Sequence, residues 1–293
     1  MYHFKFLICP GAQKAGTTSL YNFLAGHPDI CVASKKETKY FLSDEGLEQD
    51  AYIKQYFRHC KEDRLLCDVD PDLLCFPETA ERIHRVLGNR TAIAIMLRNP
   101  VDRAYSHYMM SYRRGYVLSS FDEAVDLELS GYCSDDLAAA HHLSFVSRGF
   151  YAKQIKEYQR FFPQDNMYFI IFEEFIRDKQ ASIFGLCEFL GLDFAKLKLP
   201  EREVFNRGGL PRFIFLSRLR GQRHPLKDVL KPMIPPKVRW KMYSLLEKIN
   251  LSTSPPPQMM PRSRARLMGR YLDDIKRLES LINRDLSFWL NDD

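Results

Sequence analysis

No stretch of the 293 residues is long and apolar enough to cross a bilayer. The longest apolar runs, such as residues 91–97, are strand-sized, against the roughly 20 residues that a membrane helix needs. The chain opens without the basic, apolar and small-residue regions of a secretory signal, and residues 4–9 read directly as a strand. A cytoplasmic protein with no membrane span is therefore expected. Internal repeats and low-complexity tracts are missing, which excludes solenoids and disordered chains. With 45% hydrophobic and 27% charged residues the composition is that of an ordinary globular protein. At this length a core forms without metals or disulfides. No Cys-x-x-Cys pair occurs among the seven cysteines (Cys9, Cys31, Cys60, Cys67, Cys75, Cys133 and Cys187), and Cys60, Cys67 and Cys75 beside His59 lack zinc-site spacing. Free buried thiols in a reducing compartment are the expectation.

Acids are scarce in one region only. Residues 202–270 hold 16 Lys and Arg against Glu203, Asp228 and Glu247, whereas the rest of the chain is net acidic, so the overall charge of +6 is a small remainder. A cationic segment on an acidic body suits an anionic ligand or surface, and equally a solvated basic face.

Periodicity alternates strands with helices. Strands are read at 4–9, 29–33, Leu65–Val69, Thr91–Leu97 and 167–172. Helices are read at Thr17–Ala25, Glu78–Leu87, from Pro100 onward, 150–162, Lys179–Leu190 and 263–283. This order predicts one α/β domain over 1–293: a P-loop-like, mainly parallel sheet flanked by helices on both faces. Its nucleotide-binding core spans 1–199 and a loop-rich basic cover spans 200–262, where ten of the 16 prolines fall up to Pro261. A terminal helix completes 263–293. No spacing speaks to oligomeric state.

The sharpest local pattern is Pro10-Gly11-Ala12-Gln13-Lys14-Ala15-Gly16-Thr17-Thr18-Ser19 between the first strand and the first helix. Such a turn aims backbone N–H groups at one anion and adds the positive end of a helix dipole. Gly11 and Gly16 have four residues between them as in a Walker A loop, but Thr17 stands where that loop has lysine, and no clear acidic magnesium ligand follows a later strand. The nucleoside-triphosphate grip is thus incomplete. A second pattern joins the strand ending at Arg98 to a helix opening with Pro100 and carrying Ser106. An arginine fork with a hydroxyl is a phosphate clamp.

Together these patterns resemble the sulfotransferase family that uses 3′-phosphoadenosine-5′-phosphosulfate (PAPS). Lys14 to Thr18 is similar to the family's Lys-x-Gly-Thr-Thr/Ser loop for the 5′-phosphosulfate, and Arg98-x7-Ser106 to its 3′-phosphate clamp. The resemblance implies that Gly11, Lys14, Ala15, Gly16, Thr17, Thr18, Ser19, Arg98 and Ser106 bind PAPS, with 3′-phosphoadenosine 5′-phosphate (PAP) as product and no metal required. More loosely it implies Tyr151 beside the adenine, and Arg207 and Gly208 in a late basic loop near the nucleotide. It further implies Lys14 at the leaving oxygen and Glu37, in Lys36-Glu37-Thr38-Lys39-Tyr40-Phe41, as the base.

The chain departs from the family at Cys67-Asp68-Val69-Asp70-Pro71, where members often read Glu-Lys-Thr-Pro. Asp68 matches the acid, Val69 replaces the lysine, and Asp68 or Asp70 stands as an assistant or alternative to Glu37. The expected reaction is transfer of a sulfuryl group to a hydroxyl or amine of a carbohydrate or natural product, with a small-molecule or glycan partner and no nucleic acid. The competing readings are a P-loop kinase or nucleotidase, and a non-catalytic binder of anionic glycan or nucleic acid.

Overall fold

The computed structural model describes residues 4–131, 142–198 and 258–291, together with Phe213, Val238, Leu245 and Asn250. Five strands, β1 (Phe6–Gly11), β2 (Ile30–Val32), β3 (Leu65–Val69), β4 (Thr91–Leu97) and β5 (Met167–Ile171), form an all-parallel sheet in the order β2-β3-β1-β4-β5. Parallel strands are joined by crossovers, so both faces are covered; every residue of β1, β3 and β4 is buried. The helices are α1 (Thr17–Ala25), α2 (Gln49–Tyr56), α3 (Glu78–Leu87), α4 (Pro100–Arg113), α5 (Phe121–Leu129), α6 (Tyr151–Gln159), α7 (Phe172–Arg177), α8 (Lys179–Leu190) and α9 (Pro261–Ile282).

The strand expected at 4–9 lies two residues further on. Pro10 and Gly11 belong to β1 because the register against β4 slips between Ile8 and Gly11, and a proline without an N–H is accommodated in such an irregularity. Helices α2, α5 and α7 have no counterpart in the periodicity reading. For α5 a signal was present: Ser120 and Glu123 form a capping box, each side chain accepting from the other's backbone N–H. Helix α2 buries only Tyr52 and Tyr56, too short a stripe to stand out.

Contacts divide the chain into two units. The first is Met1–Pro100, Phe150–Phe205 and Tyr271–Asp293, and it holds the whole sheet. The second is Val101–Gly149 and Asn206–Arg270. In the second unit Tyr105 and Tyr108 pack on Phe121, and the buried Arg103 guanidinium donates to the Phe145 carbonyl. Arg262, Arg264 and Arg266, at the N-terminal end of α9 where the helix dipole disfavours cations, are met by Asp122, Asp102 and Asp126. The expected cover at 200–262 lies almost wholly outside the described residues.

One expectation from the cysteines fails. Cys31 in β2 and Cys60 form a disulfide, while Cys9, Cys67, Cys75 and Cys187 are free; Cys133 lies outside the described residues. The two sulfurs meet because the chain leaving β2 doubles back through α2 to the start of β3. Sequence spacing alone does not reveal that return.

Candidate active site

The strand order places β1 between β3 and β4, so the chain proceeds from β1 to one side of the sheet and later to the other. In open parallel sheets ligands dock at the carboxyl ends of the strands flanking that reversal. Here those ends carry the β1–α1 loop, Arg98 after β4, and Asp68 and Asp70 on and just after β3.

The β1–α1 loop is pinned where it leaves β1, to β4 on one side and to the segment after β3 on the other. Ala12 N donates to the Met96 carbonyl (2.6 Å), and Gln13 Nε2 donates to Asp72 Oδ1 (3.0 Å). Just after them Lys14 and Gly16 adopt φ of 73° and 95°. A Cβ at Gly16 would lie 2.8 Å from the Phe172 ring, so glycine is required both for conformation and for space. Helix α1 then begins with no side-chain cap and no acid in its first turn. By helix geometry the Thr17 and Thr18 N–H groups have no intrahelical acceptor. An uncapped positive helix end, hydroxyls from Thr17, Thr18 and Ser19, and Lys14 alongside form a donor set suited to an anion.

Arg98 comes to the same loop. Its Nη1 donates to the Lys14 carbonyl (3.2 Å), and its guanidinium lies 4.7 Å from the centre of the Phe172 ring. The backbone around it is held at two points, one of them through a carboxylate that is itself held. Tyr151 donates its hydroxyl hydrogen to the Arg98 carbonyl (3.0 Å), Asn99 N donates to Glu173 Oε1 (2.9 Å), and Trp289 Nε1 donates to Glu173 Oε2 (3.1 Å). Burial raises the Glu173 carboxyl above its ordinary pKa. Two patterns 84 residues apart thus meet in one constellation.

The third part is β3 and the segment that follows β2. Asp68, Asp70 and Asp72 are all buried. Asp68 Oδ2 accepts from the hydroxyls of Thr38 (2.6 Å) and Tyr52 (2.9 Å), while its Oδ1 has no hydrogen-bond partner among the described residues. Asp70 Oδ2 accepts from Lys39 N (2.6 Å). Burial pushes the Asp68 carboxyl up to about 6 against those hydrogen bonds; burial and then the Asp68 charge push Asp70 up to about 7. Glu37 is different. Its side chain is 41% exposed and pairs with Lys36 Nζ at 2.8 Å.

Of the residues singled out from the sequence, the first unit therefore brings together Gly11, Lys14, Ala15, Gly16, Thr17, Thr18, Ser19, Arg98 and Tyr151 around one loop, with Glu37 and Asp68 on the adjoining β3 edge. Tyr151 is fully buried, and its visible work is on the Arg98 carbonyl rather than on an open adenine face. Ser106 lies on α4 in the second unit. Arg207 and Gly208 lie outside the described residues. Phe172 was missed: it carries no charge and no motif, and its position under both Gly16 and Arg98 emerges only from the fold.

Residues 5–207 match the family described as "Sulfotransferase domain". A mouse protein named heparan sulfate glucosamine 3-O-sulfotransferase 6 is 28% identical over 191 residues, covering 62% of this chain and 51% of that protein. The chain spans about half the length of the curated relatives it matches first. The crystal structure of a sulfotransferase from Alicyclobacillus acidocaldarius superposes with a TM-score of 0.67 at 28% identity, covering 98% of this chain and 99% of that one. A Dictyostelium discoideum protein named membrane-associated sulfotransferase kil1 is 36% identical over 103 residues, covering 34% of this chain and 22% of that protein. These findings overturn the cytoplasmic expectation: a relative is named for its membrane association, and the Cys31–Cys60 disulfide is foreign to a reducing compartment. Among the described residues no helix is long and apolar enough to cross a membrane. With the match running through the β1–α1 loop, Arg98 and both carboxylate-bearing segments, the chain belongs to the sulfotransferase domain family.

Proposed function

We propose that this protein transfers the sulfuryl group of PAPS to a hydroxyl of a carbohydrate acceptor. The observation that carries the proposal is the Arg98–Lys14 contact, which puts a guanidinium fork and an uncapped helix end on one loop. The donor set fits a nucleotide with phosphates at two places: Lys14 and the amides and hydroxyls of Thr17 and Thr18 hold the 5′ side, and Arg98 takes the 3′-phosphate. When bound, PAPS supplies a sulfuryl group already activated by its bond to the 5′-phosphate. Lys14 neutralises charge that grows on the bridging oxygen, and Glu37 accepts the proton of the acceptor hydroxyl. The names of the matched relatives support a glycan acceptor.

The test is calorimetric titration of PAP and of adenosine 5′-phosphate, without magnesium, into wild type and Arg98→Ala. PAP is expected to bind the wild type more tightly, and Arg98→Ala to lose roughly tenfold to a hundredfold in PAP affinity with little change for adenosine 5′-phosphate. Equal losses for both ligands, or preference for ATP with magnesium, would overturn the reading.

A further inference from the structure

The segment carrying Glu37 is built in a conformation it would not choose alone. Glu37 and Lys39 are non-glycine residues at φ of 61° and 59°, two left-handed positions within three residues. What holds them is a ladder of hydrogen bonds to successive residues of the β3 edge. Glu37 N donates to the Val69 carbonyl (3.2 Å), the Thr38 hydroxyl to Asp68 Oδ2 (2.6 Å), and Lys39 N to Asp70 Oδ2 (2.6 Å). Two phenols from α2 close the ladder from behind: Tyr52 donates to the same Asp68 oxygen (2.9 Å) and Tyr56 to the Thr38 carbonyl (3.2 Å). Asp68 and Asp70 are both fully buried, so neither carboxylate has a surface on which to meet an acceptor. One oxygen of each, Asp68 Oδ2 and Asp70 Oδ2, is bonded to the Glu37 segment instead.

We propose that Asp68 and Asp70 are positioning residues: together with Thr38 they clamp the Glu37 segment to the β3 edge and thereby hold the Glu37 carboxylate where it takes the acceptor's proton. This rests on the assignment of Glu37 as the base. It also gives a use to the departure from the family pattern at 69–70, since Asp70, standing where members often have a hydroxyl residue, supplies the oxygen that Lys39 N requires. Misplacing a catalytic group by about 1 Å costs up to roughly a hundredfold in rate, so a slack clamp is legible in turnover.

The experiment is a double-mutant cycle on Thr38→Val and Glu37→Gln, with Asp70→Ala measured alongside. PAP release from PAPS is followed with desulfated heparin oligosaccharides as acceptor, and amide hydrogen exchange is followed at residues 36–40. Thr38→Val keeps the side-chain shape and removes the hydroxyl, which donates to Asp68 and accepts from Tyr40 N (3.3 Å). Thr38→Val is expected to lower kcat about tenfold or more with PAP affinity unchanged, and to add nothing to the kcat loss in the Glu37→Gln background. Exchange at the Lys39 amide is expected to rise about tenfold in Asp70→Ala, whether or not the oligosaccharide is turned over. If Glu37→Gln turns over like wild type, the base assignment is what fails. If Glu37→Gln is slow but the Thr38 loss is absent or simply additive, or if exchange does not change, the clamp is overturned.

Discussion

Gly16 shows how little of the anion loop is tolerant of change. Its φ of 95° and the 2.8 Å approach of the Phe172 ring act together, so Gly16→Ala is expected to cost about 1–3 kcal/mol, read as a lower urea midpoint at constant m-value. An unchanged midpoint would mean that Phe172 swings away freely, and Arg98, which rests on the same ring, should then lose its place. At this scale the sequence was informative wherever chemistry and spacing coincide: Lys14, Gly16, Thr17 and Thr18 on the loop, and Arg98 at a strand end. It was silent on Phe172, Tyr52 and Asn99, because an aromatic ring or an amide becomes specific only through what the fold sets beside it. Asp70 is an intermediate case. The departure from the family pattern was visible, but its bond to Lys39 N depends on a return of the chain that no local pattern encodes.

Helix α1 is made to be incomplete. An ordinary helix of nine residues would profit from a capping side chain and an acid in its first turn, and this one has neither. Thr18→Asp is therefore expected to move two quantities in opposite directions. Stability should rise by about 0.3–1 kcal/mol through the helix dipole, while PAP affinity falls by tenfold or more because a carboxylate occupies the anion's place. Thermal unfolding and calorimetry on the same preparation check both signs, and a parallel rise would remove α1 from the donor site. Element boundaries were legible where hydrophobic runs are long, as in β4, and where glycine stops a helix, as Gly191 does after α8. They were not legible for β1, whose proline disguises the strand end, or for α2, whose buried face is two tyrosines.

For the molecule as a whole, the buried carboxyls set a pH signature. Asp68 and Asp70 hold protons more tightly folded, at about 6 and about 7, than they do in the unfolded chain near 4. Between pH 4 and 7 the folded state therefore binds more protons, and the contribution of this pair to stability falls as pH rises, levelling off above about 7. Unfolding free energies measured in urea at pH 5 and pH 8 should show a smaller decline in Asp70→Asn than in wild type. An identical decline in both would mean that Asp70 ionises in the fold as readily as it does unfolded. The Cys31–Cys60 bridge acts on the same region, since the loop it closes contains Glu37, Thr38, Tyr52 and Tyr56. Another consequence concerns the order in which the chain is made. Trp289 holds Glu173, which holds Asn99 beside Arg98, and Tyr271, Ile275, Leu278 and Ile282 are buried residues of the sheet-bearing unit. A nascent chain that has already displayed Lys14 and Arg98 outside the ribosome thus still lacks the support of its arginine. The setting of Arg98 is complete only once residue 289 has emerged and packed, so the arginine depends on a segment made 190 residues after its neighbour Asn99.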